Sequence, residues 1–204
     1  MVDDPVEAAR PAAAGTTDAL LALIAARRSV ARVDTEADVP EAALRRALAL
    51  ATLAPNHHLS QPWRFTVVRG AARHRVGNRL AAEAVAAGRL PPERAPLEAA
   101  KWLRAPVVVV VSHRPHGSDE RRREDRLALG AAVENLLLAL SAQGLAAMWR
   151  TGASAHSLAV RRALGLSADD EIVALVHVGR PLAEAQPQAR RRHEAESLTR
   201  WIDA

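Results

Sequence analysis

The chain has no cysteine, no tyrosine and a single phenylalanine, and aromatic residues make up only 2% of its 204 positions. Without thiols there are no disulfides and no thiolate metal sites, which suits a reducing, cytoplasmic setting. Without aromatic bulk the core must be filled by alanine, leucine and valine, which favours helices that approach one another closely. No apolar run reaches the length of a membrane span, and the N-terminus has no basic region followed by a hydrophobic segment. Lysine is also scarce. Lys101 is the only one, so the formal charge of +5 is carried almost wholly by guanidinium groups. Those arginines are spread along the chain. The runs Arg121-Arg122-Arg123 and Arg190-Arg191-Arg192 have no interleaved aromatics on which bases could stack. A basic nucleic-acid protein therefore ranks far behind a binder of a small phosphate.

The hydrophobic share of 49% over this length is enough for one domain with a real core. Residues 1–16 lack apolar periodicity and read as a loose arm, leaving 17–204 as the single domain. Thr17 or Asp18 can cap a first helix carrying Leu20, Leu21, Leu23 and Ile24. A second helix starts near Pro40, with Asp38 as a cap and Leu44, Ala47, Leu48 and Ala51 on one face. A strand is expected near Trp63–Val68, and a helix over 71–87 that Gly88 to Pro92 break. A short helix carries Trp102. Val107–Val111 is five β-branched residues in a row and reads as a strand buried on both faces. A long helix from about Glu120 to Gln143 is charged first and then apolar almost all round. Leu145–Arg150 makes a strand, a helix follows near His156–Leu164, and Ile172–Gly179 forms the last strand. The tail, 182–204, ends in Leu198 and Trp201, which suits packing on a partner subunit.

Three stretches carry chemistry. Arg27-Arg28-Ser29 follows the first helix and offers two planar donor forks and a hydroxyl, a set suited to phosphate, although arginines at a helix C-terminus also stabilise it without any ligand. The connector Ala54-Pro55-Asn56-His57-His58-Leu59-Ser60-Gln61-Pro62-Trp63 gathers two imidazoles, an amide and a hydroxyl between prolines. It gives no spacing for a metal site, since no third ligand stands one helical turn from either histidine. Trp149-Arg150-Thr151-Gly152 closes a strand with the same theme of aromatic, guanidinium and hydroxyl. Taken singly, each is more often a solvated helix end, a loop, or a strand end with a core tryptophan and a surface arginine. The sequence has no Gly-x-Gly-x-x-Gly, no P-loop and no nucleophile elbow.

Taken in order, Arg-Arg-Ser, then Ala-Pro-(six residues)-Gln-Pro-Trp-Arg-Phe, then Gly-Leu-(three residues)-Trp-Arg-Thr-Gly resembles the nitroreductase family of FMN enzymes, and within it the short, minimal bacterial branch. The likeness runs from about Asp18 to Pro181. It implies an α+β fold, a central sheet of four to five strands flanked by helices, in an intertwined homodimer with FMN at the interface. It implies that Arg27 and Ser29, with Arg28 alongside, bind the FMN phosphate, and that Arg191 or Arg192 assists. It implies further that His57 in the partner's loop approaches the flavin with Leu53 nearby, that Gln61 and Trp63 shape the wall, and that Trp149, Arg150 and Thr151 form another edge. The implied activity passes electrons from NADPH or NADH through the flavin to nitroaromatics, quinones or similar acceptors, with no side chain as catalytic acid or base. A flavin-binding or sensing protein without turnover is the alternative. It is motivated by departures from the family pattern: Ala31 where a basic residue is usual, Asn56 for serine, and Leu59 for asparagine.

Overall fold

A computed structural model describes residues 14–184 and 192–203. Alanine and leucine, both strong helix formers, begin the described chain as helix α1, Ala14–Ala26. It already runs at Thr17 and Asp18, so neither residue caps it. Strand β1 (Val33–Asp34) is only two residues long and was not anticipated. Helix α2 (Glu41–Ala51) turns Leu44, Ala47 and Ala51 inward. Its cap position is Pro40, which makes no side-chain capping bond. Asp38 lies upstream and serves instead through its carbonyl, which accepts from Arg180 Nε at 3.2 Å. Strand β2 (Arg64–Arg69), helix α3 (Ala71–Ala86) and helix α4 (Ala95–Ala99) follow, and a 3-10 turn over Ala100–Leu103 buries Trp102.

Strand β3 (Val107–His113) is buried at every position. It lies between β2 and strand β5 (Glu171–Pro181), with helices over both faces, so no alternation survives in its sequence. Helix α5 (Asp119–Ala142) is capped by Ser118 and has nine buried residues. Leu127, near its start, is nonetheless exposed. Strand β4 is Ala146–Arg150. The helix expected near His156–Leu164 is broken in two, α6 (Ala153–His156) and α7 (Leu158–Ala163), because Ser157 is extended and caps the second by accepting from Val160 N.

The five strands form one antiparallel sheet in the order β1-β5-β3-β2, with β4 also on β5. The long β5 thus carries β3 along one edge and both β1 and β4 along the other. One face (Val107, Val109, Val111, Val176, Val178, Ala147) packs on α2 and α5. The other face (Val108, Val110, Leu175) packs on α3, Trp102 and Val160. Gly179 sits where β1 and β4 meet β5. A Cβ there would lie 2.7 Å from Val33 Cγ2 and 3.0 Å from Pro106 Cδ, so only glycine lets the strands close up. Among the described residues no helix is long and apolar enough to cross a membrane.

Candidate functional site

The site is organised by β4, whose outer edge, among the described residues, is met only where Val30 N donates to Ala147 O at 3.1 Å. That bond brings the end of α1 beside the start of the strand. A cavity of about 230 Å³ opens there, lined by Arg27, Arg28, Val30, Leu137 and Ala147 among others. A second hollow holds Arg27, Arg28 and Arg192 together with Ile24 and Ala25. Three guanidiniums from the helix end and the tail therefore converge. Arg191 lies outside the described residues.

The cradle is already partly satisfied. Arg27 Nε pairs with Glu134 of α5 at 3.1 Å, and Arg28 Nη1 donates to the carbonyls of Ala25 and Arg27 at 2.6 and 2.8 Å. The latter contacts quiet the unpaired carbonyls at a helix C-terminus. Arg28 thus does the structural work that a helix-end arginine usually does. Ser29 is exposed.

At the other end of β4, three residues beyond Ala147 and so about 10 Å along the strand, a cleft of about 420 Å³ opens. Strand alternation decides its lining. Met148 pairs with His177 and Arg150 with Leu175, and directly opposed residues share a face. All four therefore turn toward the α3 side, where Trp102, Arg104 and Lys101 complete the wall. Trp149 points the other way and is partly exposed, while Arg150 is partly buried with its Nε unpartnered among the described residues. The expectation of a core tryptophan and a surface arginine is inverted. Gly152, at φ +95°, makes the turn into α6 beside the exposed Thr151.

The cleft is cationic and largely without acids. Lys101 is paired with Glu98 at 2.6 Å, but no carboxylate among the described residues meets Arg104 or Arg150. Burial, and then the charge of Arg104, push the Arg150 pKa down. Burial, followed by the charges of Arg150 and Arg104, lowers His177 to about 4, so its imidazole is neutral at pH 7. Arg104 and His177 were missed from the sequence. A lone histidine inside Val176-His177-Val178 was the available signal.

The polar connector is the third part. Four residues beyond the end of α2, Pro55 leads into the turn that Asn56 organises: its Oδ1 accepts from Gln61 N at 2.9 Å and its Nδ2 donates to Ala54 O at 3.1 Å. His57–Leu59 form one 3-10 turn. His58, Leu59 and Gln61 all have positive φ, between 42° and 51°. His57 and His58 do not point apart as strand neighbours would. Their rings stack with centroids 3.9 Å apart. His57 Nδ1 lies 2.7 Å from Glu124 Oε2, and Ser60 Oγ donates to the buried Asp125 at 2.7 Å. Leu53, Leu59 and Gln61 are exposed, and Trp63 is buried. In the single chain this connector and the two ends of β4 are separate surfaces.

A model of the Nitroreductase family matches residues 24–180. The chain belongs to the nitroreductase family. It is 33% identical over 174 residues to YdjA of Escherichia coli strain K12, whose name proposes an NAD(P)H nitroreductase, covering 81% of this chain and 90% of that one. The fold matches the crystal structure of a nitroreductase-like protein from Bacillus cereus with a TM-score of 0.79 at 23% identity, over 97% of this chain and 100% of the other. A nitroreductase-type protein from Desulfovibrio desulfuricans, solved in complex with FMN, matches at 28% identity and a TM-score of 0.68, over 91% of this chain and 98% of its own.

Proposed function

We propose that this chain is an FMN-dependent oxidoreductase that takes electrons from NADPH or NADH and delivers them to nitroaromatic, quinone or similar electron-poor acceptors. The observation that supports it most directly is the pair of cationic hollows at the two ends of β4. Their residues fit the cofactor. Arg27, Arg28 and Arg192, with Ser29, would hold a phosphate through planar charged donors. The cleft would take a flat polar ring between Met148, Leu175 and the Trp149-Arg150-Thr151 turn. Arg150, partly buried with an Nε unpartnered among the described residues and near Arg104, is a charge that the acceptor atoms of a flat polar ring would satisfy. Positive charge held there favours electron uptake at that end. FMN, when bound, supplies the redox chemistry, and the protein supplies binding and orientation. No side chain is required as acid or base.

The working unit is read as a homodimer in the cytoplasm, where reduced nicotinamides are available. The single chain leaves Leu20, Leu21 and Ile24 of α1, Leu50, Leu53 and Leu127, and the tail's Leu198, Trp201 and Ile202 exposed. A second copy would cover them and bring its own His57 loop, with Leu53 and Gln61, to the ring. The test is a purified, FMN-loaded protein titrated anaerobically with each nicotinamide, alongside its mass in solution. Bleaching of the visible flavin band by either reductant, in a species of twice the chain mass, is the expected result. A protein that stays colourless after refolding with FMN, or a lone subunit, would overturn the reading. Leu59, exposed and without a polar group where the family pattern has asparagine, favours a second reading, a flavin binder without turnover. In that case flavin binds and neither reductant bleaches it.

A further inference from the structure

Among the described residues, the least relaxed backbone is the connector after α2. Three residues other than glycine (His58, Leu59 and Gln61) have left-handed φ within four positions. Such conformations cost free energy and persist only where surrounding contacts hold them. The contacts are consecutive acids of α5. Asp125 accepts from Ser60 Oγ, and Glu124 meets His57 Nδ1. Asp125 is 2% exposed, so its bond fixes the loop to the helix, whereas the Glu124 contact is partly open and engages His57, which like its neighbour His58 is exposed.

An ionised carboxylate can only accept, so at 2.7 Å the proton must sit on Nδ1 of His57. In the neutral ring Nε2 then carries a lone pair and is the only nitrogen free to meet a ligand. Stacking on His58 sets the plane of the ring. We propose that Glu124 is a positioning residue for His57: its carboxylate fixes the Nδ1–H tautomer and presents Nε2 outward as a hydrogen-bond acceptor for an N–H group on a flat heterocyclic ligand. That the ligand is the ring of FMN held by a second copy rests on the function proposed above.

The tautomer is measured in FMN-free protein, from the ring ¹⁵N shifts of His57. The expected spectrum is the Nδ1–H form in the wild type, kept in Glu124→Gln, whose side-chain oxygen still accepts, and lost in Glu124→Leu. A wild-type ring protonated on Nε2 alone, or a Glu124→Leu spectrum identical to wild type, would overturn the assignment. Fluorescence titration with FMN gives the second readout. Glu124→Leu should weaken binding about tenfold, in the range seen when an orienting partner is removed from a ligating histidine, and Glu124→Gln should recover most of it. Equal losses in the two variants would count against positioning by a hydrogen bond. If the wild-type chain fails to bind FMN, the cofactor reading alone falls, and the tautomer measurement still decides on Glu124.

Discussion

The two ends of β4 both collect guanidinium groups, but they hold them differently. At the start of the strand Arg27 already has Glu134, and Arg28 has two helix-end carbonyls. At its end Arg150 and Arg104 have no acid among the described residues, and their charges, with burial, keep His177 neutral. The first group is at rest without a ligand, and an incoming anion must displace what is there. The second costs the free protein stability and is relieved only when something electron-rich arrives. On the proposed reading, one chain thus carries a cradle that exchanges partners and a cleft that waits for one. The second arrangement is the usual mark of a site maintained for function at the expense of stability.

The largest expected effect is on the waiting end. Because the folded-state pKa of His177 is depressed from 6.5 to about 4, the unfolded chain binds the extra proton first. The stability that neutral His177 provides is therefore complete above pH 6.5 and is lost as pH falls toward 4, by about 3 kcal/mol in all. Urea unfolding of FMN-free wild type and His177→Gln at pH 7 and pH 4 isolates this, since the acids titrate alike in both. A difference that does not change with pH would mean that the cleft does not impose this cost.

Next in size is Arg27→Ala, which removes a charged donor from the cradle. On the proposed reading FMN affinity falls about 10- to 100-fold, the effect of losing a charge-assisted bond, while the melting temperature moves little because the Glu134 pair is only partly shielded. Arg150→Met should act in opposite directions on the two properties. Removing a guanidinium that is desolvated and repelled by Arg104 stabilises the FMN-free protein by about 1 kcal/mol and weakens FMN binding. If Arg150→Met instead destabilises, Arg150 is a structural residue and the contrast between the two ends disappears.

Much of this was legible in the chain. The five valines gave a strand buried on both faces, and the apolar run of α5 gave a deep helix, because burial on all sides erases alternation. The three motifs were each visible as a group of polar residues at an element's end. What was not legible came from pairing. Two residues of β1 form a strand only because Gly179 lets them reach β5. Lys101, Arg104 and His177 join Arg150 only through the register of β4 on β5 and the turn under Trp102. Glu134, Glu124 and Asp125 lie on a helix whose surface acids look alike in sequence. Only the packing of α5 shows which of them meets an arginine, a histidine or a serine.

That last point gives the smallest effect and the one whose sign is most informative. Glu134 is half-exposed and its pair with Arg27 contributes little to folding, about 0.5 kcal/mol or less. Its charge nevertheless stands where an anion would sit, so Glu134→Gln should leave stability nearly unchanged and tighten FMN binding a few-fold, by freeing Arg27 and removing a like charge. The gain should shrink with added salt, because this pair is open to screening. The same experiment on free phosphate, read by competition with FMN, separates the cradle from the cleft, since phosphate has no ring to place beside Arg150. Weaker binding in Glu134→Gln would mean that the acid orients Arg27 for its ligand. The start of β4 would then be a prearranged site as well, differing from the far end only in what holds its charge in place.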